Sequence, residues 1–140
     1  MRQFAVAIQC LFVFAGVVLT AEAQDFKVFP GSRTDSTASK QASSPRTKSE
    51  IYTTDSSFEK VVAFYRARYP EYAWRIPAPS LPSGKKVQWA YFLIDGAKDI
   101  RESKYWLKVQ RPYIGTIGED GGPDFKDIRD LTVIQTVQKR

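Results

Sequence analysis

Three groups of residues have types and spacings that can do chemistry. Trp106, Lys108 and Gln110 are alternate residues of one run, Tyr105–Arg111. In a strand, alternate residues share a face, so an indole, an ammonium and an amide would stand side by side. Lys104 and Arg111 flank them, and Lys85 and Lys86 lie beside the preceding run. A sheet face with exposed aromatic and basic groups binds anions, as single-stranded nucleic-acid domains do. For a chain outside the cell, anionic glycan, lipid headgroups or another protein are the corresponding partners. The plainer reading is that the bases keep a small sheet soluble and blunt its edges. In that reading Trp106 is partly buried, or covered by a second layer such as the N-terminal segment.

The second group is acidic: Glu119, Asp120, Asp124, Asp127 and Asp130 surround Gly121-Gly122. Hard oxygen ligands on a glycine-containing loop suit Ca²⁺. The spacing departs from the EF-hand pattern, because Asp120 is followed directly by glycine, and Lys126 and Arg129 dilute the charge. Asp120, Asp124 and Asp127 are therefore weak candidates only, and no metal or cofactor is expected. The third group is Asp55 with Tyr52 and Arg111, or Tyr113 with Arg111. Acid–base chemistry without histidine can use such groups, but nothing in the sequence brings them together, and Asp55 serves equally well near a helix start.

The chain has 140 residues, no histidine and the single cysteine Cys10. A Ser-His-Asp triad, a histidine base, a histidine-ligated metal, an internal disulfide and a thiolate zinc site are all excluded. No phosphate-binding Walker loop, G-x-S-x-G elbow or dinucleotide fingerprint is present. No catalytic residue is assigned.

Residues 1–23 have the form of a secretory signal peptide. Arg2 is followed by an apolar run from Phe4 to Leu19 and by the small-residue cleavage pattern Ala21-Glu22-Ala23. The run is 16 residues, short of the roughly 20 needed to span a bilayer. Cleavage removes Cys10 and leaves a cysteine-free basic chain of 117 residues whose net charge stays at +6. Small secreted domains of eukaryotes commonly lean on disulfides, so the expected location is the bacterial periplasm or the extracellular space. No transmembrane span is expected after cleavage.

Residues 24–50 form the next segment. From Pro30 to Glu50 there are nine Ser/Thr among 21 positions and no aromatic, Leu, Ile or Val. Such a stretch buries too little apolar area to offset its ordering entropy and is expected to be flexible. Phe26, Val28 and Phe29 suggest a short strand at 25–29. Residues 51–140 are expected to form a single α+β domain held by 14 aromatic residues.

Within it, Ile51–Thr54 reads as a short strand. Ser56 with Glu59 reads as a capping box for a helix with the apolar stripe Phe58, Val61, Val62, Tyr65, Tyr69, ended by Pro70. Trp74–Ile76 reads as extended. Strands follow at Val87–Asp95, at Tyr105–Arg111 with a continuation through Tyr113–Ile117, and at Leu131–Val137. Tyr105, Leu107 and Val109 are assigned inward. One main helix on a curved antiparallel sheet of about four strands results, a cystatin-like or similar two-layer architecture.

The segment Tyr52-Thr53-Thr54-Asp55 leading into Lys60-Val61-Val62-Ala63-Phe64-Tyr65, with Phe29-Pro30-Gly31-Ser32 upstream, resembles a pattern in small uncharacterised exported bacterial proteins. The resemblance implies export and no activity.

The basic charge concentrates in residues 51–117, with 11 bases against 6 acids. The functional expectation is an exported, non-enzymatic domain that binds a macromolecular or envelope partner through its sheet. The binding candidates are Trp106, Lys108, Gln110, Arg111 and Lys104. Two alternatives stay open: a small histidine-free hydrolase or isomerase with a carboxylate pocket between helix and sheet, and a module for anionic polymers.

Overall fold

The computed structural model describes residues 25–115, 119–120 and 124–140; the signal segment 1–23, Gly121-Gly122 and residues 116–117 lie outside them. The chain runs β1 (Arg33–Thr34), α1 (Ser36–Ala42), β2 (Thr47–Thr54), α2 (Phe58–Arg66), β3 (Glu71–Tyr72), β4 (Gln88–Leu93), β5 (Tyr105–Arg111), β6 (Tyr113–Ile114), β7 (Ile128–Arg129) and β8 (Thr132–Lys139). Six strands make one antiparallel sheet in the order β1-β2-β8-β5-β4-β3, and β6 pairs with β7 alone. The fold is α+β, but among the described residues it has two helices and a six-stranded main sheet rather than one helix and about four strands. Among the described residues no helix is long and apolar enough to cross a membrane.

Alternation along the strands divides the sheet into two faces. Tyr52, Ile134, Val109 and Ala90 lie in one cross-strand row, with Leu107 and Phe92 beside them in the next. Helix α2 packs on this face with Val61, Val62 and Tyr65, as the apolar stripe requires. Tyr65, Phe92, Leu107, Val109 and Ile134 are fully buried, so the space between α2 and the sheet is filled.

The α2 cap lies one residue later than the capping-box pattern suggests. Ser57 accepts from Lys60 N at 3.3 Å, which puts Glu59 in the first turn instead of the reciprocal capping position. Ser56 is taken up differently: its carbonyl accepts from Thr132 Oγ1 at 2.6 Å and Arg111 Nη1 at 3.0 Å.

Residues 25–29 form no strand. They lie along the α2 core because two buried phenols hold them. Tyr65 Oη donates to Lys27 O at 3.0 Å, and Tyr69 Oη donates to Asp25 O at 3.1 Å. Phe26 stacks on Tyr65 at 5.8 Å, and Phe29 meets Phe64 edge-on at 5.2 Å.

The Ser/Thr-rich segment expected to be flexible folds as β1, α1 and the first half of β2. Its ordering rests on hydrogen bonds more than on apolar burial. Strand β1 covers the free edge of β2 only at Thr53 and Tyr52. Beyond it, Asp35 N donates to Ile51 O (2.8 Å), Ser39 Oγ accepts from Ile51 N (2.8 Å), and Ser43 Oγ accepts from Ser49 N (3.0 Å). Backbone groups on a sheet edge must find partners, and short hydroxyl side chains supply them. Asp35 also caps α1, accepting from Ala38 N at 2.9 Å. A small second core of Ala38, Ile51, Tyr113 and Val133 then forms under α1.

The remaining strands shift modestly. The pair at Glu71–Tyr72 takes the place expected for Trp74–Ile76. Arg111–Pro112 is a cis peptide, and the chain leaves the main sheet there to form β6. Phe92→Ala should cost about 3–5 kcal/mol in chemical denaturation, from lost burial plus the cavity left behind. Val28→Ala, at a position 43% exposed, should stay within about 0.5 kcal/mol of wild type.

Candidate functional site: a cleft under the first helix

The face away from α2 presents three cross-strand rows. Trp89, Gln110 and Val133 form one; Tyr91, Lys108, Gln135 and Ile51 form the middle one; Leu93, Trp106, Val137 and Ser49 form the third. Helix α1 roofs one side with Ala38, Gln41 and Ala42. Pro79 stands near Trp89 and Lys108, and Tyr113, Ile114 and Gly115 close another wall. The result is a cleft of about 570 Å³ floored by Ile51, Trp89, Lys108, Gln110, Val133 and Gln135.

Lys108 lies in the middle row of that floor and is partly buried. Burial pushes its ammonium below the usual lysine range, because a charge leaves water at a cost. No hydrogen bond or ion pair holds Lys108 among the described residues; its Nζ lies 6.0 Å from the centre of the Trp89 ring. Among the described residues the cleft lining contains no acidic side chain. Gln110 is 8% exposed and donates through Nε2 to Pro112 O at 3.2 Å, which steadies the floor beside β6.

Beside the cleft, Trp74 stacks on Tyr91 at 5.1 Å and meets Tyr72 at 6.0 Å, while Trp89 meets Tyr91 at 5.9 Å. An aromatic ledge therefore runs from the cleft floor to the β3 edge, with Trp74 exposed. Tyr91 is pushed up to about 12 by burial and is neutral near pH 7.

The five binding candidates separate. Trp106, Lys108 and Gln110 share one face, and Lys108 and Gln110 line the cleft. Trp106 lies one row away, partly buried, with Lys139 Nζ 5.4 Å from its ring. Lys104 is exposed just before β5, its backbone N donating to Asp95 Oδ2 at 2.7 Å.

Arg111 lies on the α2 face instead. Its Nη1 donates to Thr132 Oγ1 and Ser56 O, both at 3.0 Å, and its Nη2 pairs with Asp130 at 2.9 Å. It clamps the β2–α2 turn to β8. The odd position in β5 foretold this, since alternation separates Arg111 from Lys108.

The acid–base group does not assemble. Tyr52 Oη donates to Glu50 Oε2 at 2.9 Å on the α2 face, whereas Tyr113 lines the cleft on the other. Asp55 touches Arg111 only through its carbonyl, at 3.4 Å. Among the metal candidates, Asp127 pairs with Arg129 at 2.8 Å, which holds its carboxyl below the usual range. Asp124 Oδ1 accepts from Lys126 N at 3.1 Å, and Asp120 is exposed. Among the described residues no group of three or more His, Cys, Asp or Glu is placed to hold a metal.

Trp89, Gln135, Ile51, Val133 and the α1 residues belong to the cleft but were not singled out by the sequence. The outward alternation of Trp89 and Tyr91 with Trp106 and Lys108 was the available signal. Asp35 ahead of Ser36–Ala42 was a second, as a helix cap inside a polar stretch. In comparisons with known proteins, the chain matches no family model, no curated protein and no solved structure.

The partly buried ammonium gives a pH-dependent stability. Between its lowered value and the usual 10.5, the unfolded chain holds more protons at this position than the native one, so stability rises with pH. Lys108→Met removes that titration. Urea unfolding of both proteins near neutral pH and at about pH 10 should show the balance moving toward wild type at the higher pH. A difference that stays constant would mean Lys108 is fully hydrated in the native state.

Proposed function

We propose that the protein is an exported, non-enzymatic binding module that receives an envelope or macromolecular partner on the sheet face carrying Trp106, Lys108 and Gln110. The carrying observation is the unpaired Lys108 in the floor of a cleft, next to an aromatic ledge. A surface kept only for solubility would place its lysine in water; this one stands among Trp89, Gln110 and Gln135. Depleted charge and enriched aromatics are features of binding centres.

The packed core between α2 and the sheet speaks against a carboxylate pocket there. Export is supported by the signal-like residues 1–23, and a place among small exported bacterial proteins by the Tyr52–Tyr65 pattern. The α2 half serves as a cystatin-like or related helix-on-sheet framework, supported by the order β2, α2, β4, β5, β8.

The test is retention of envelope components on the immobilised chain without residues 1–23, beside a Trp106→Ala/Lys108→Met double variant. The variant should keep its circular dichroism and lose the component that wild type retains. Equal retention by both overturns the reading. Retention that falls steeply and linearly in log–log with salt would instead support the anionic-polymer alternative, by counterion release.

A further inference from the structure

Resting on the reading of this face as a binding site, we propose that the cleft under α1 takes a small carboxylic acid with an apolar body, its carboxylate paired to Lys108. Three observations converge on that chemistry. The first is charge: among the described residues Lys108 is the one charged residue in the lining, and no acid pairs with it. A partly buried ammonium without a counter-ion is unfavourable, and a bound carboxylate supplies what the fold omits.

The second is polar capacity. The side chains of Gln41 and Gln135 line the same space and make no hydrogen bond among the described residues. Gln135 is the direct cross-strand neighbour of Lys108. An amide next to an ammonium can donate to the second carboxylate oxygen, giving the anion two distinct partners.

The third is the shape and nature of the walls. Ala38, Ala42, Ile51, Pro79, Trp89 and Val133 surround that polar centre with apolar surface. The volume of about 570 Å³ falls within the range of small-molecule sites. It suits a compact amphipathic anion better than a multiply charged polymer, which would meet only one cation inside the cleft.

Octanoate, with octanamide as its neutral counterpart, tests this by calorimetric titration of the chain without residues 1–23. Octanoate should bind saturably, and octanamide about ten- to a hundred-fold more weakly, the scale of losing a charge-assisted hydrogen bond. Lys108→Met should abolish the preference of acid over amide, and Lys108→Arg should retain it. Absence of saturable octanoate binding, or equal affinity for acid and amide in wild type, overturns the proposal; both readings use the wild-type protein and do not depend on a variant folding. If the double variant nevertheless loses its envelope component while octanoate fails to bind, the carboxylate class is wrong and the binding face stands.

Discussion

The pairing of β2 with β8 is the constraint on which the rest of the structure depends. It aligns eight residues of each strand, from Thr47 opposite Lys139 to Thr54 opposite Thr132. It joins β2 to β8, strands far apart in sequence, so the sheet is complete only when β8 is in place. It also fixes register. A slip of β2 by one residue would send Tyr52 away from α2 and turn Ile51 into the core in its place. The large apolar set on the α2 face makes that slip costly.

The same pairing leaves the other edge of β2 to be satisfied, and the polar segment before it does so. Asp35, Ser39 and Ser43 bond the backbone of Ile51 and Ser49, and α1 is thereby set across the second face. The roof of the cleft is thus a by-product of edge protection. Hydroxyl side chains that compete with regular structure in a helix interior here serve the neighbouring strand. The Arg111 clamp acts at the opposite end of β2, tying the turn after Thr54 to β8 through Ser56 and Thr132.

Much of this was legible in residues whose pattern is strongly periodic. The α2 stripe, the Tyr105–Arg111 strand with its inward set, and the shared face of Trp106, Lys108 and Gln110 follow from spacing alone. The polar segment was not legible, because composition measures what a stretch can bury and says nothing of which edge it can bond. Arg111 was grouped with Lys108 by proximity in sequence, although alternation places them on opposite faces. The cleft itself depends on α1, Pro79 and β6 converging over β5 from distant parts of the chain. No local pattern encodes that meeting; only the outward Trp89 and Tyr91 hinted that the second face was more than a solvated surface.

A lysine in the middle row of a six-stranded sheet conflicts with stability, and the conflict is informative. The position lies between Tyr91 and Gln135, where a threonine or valine would pack at no charge cost. On the other face, every neighbouring position of β5 obeys the apolar rule: Leu107 and Val109 are fully buried. Local rules tend to fail where a site needs them to fail. Solubility does not call for a cation there, since Lys85, Lys86, Lys104 and Lys139 already stand exposed. Nor does edge protection, since β5 is enclosed by β4 and β8. What a cation does at such a place is attract an anion into partly desolvated surroundings, where the pairing is less screened by water. The aromatic rings beside it form a continuous surface that runs from the Lys108 floor outward to Trp74.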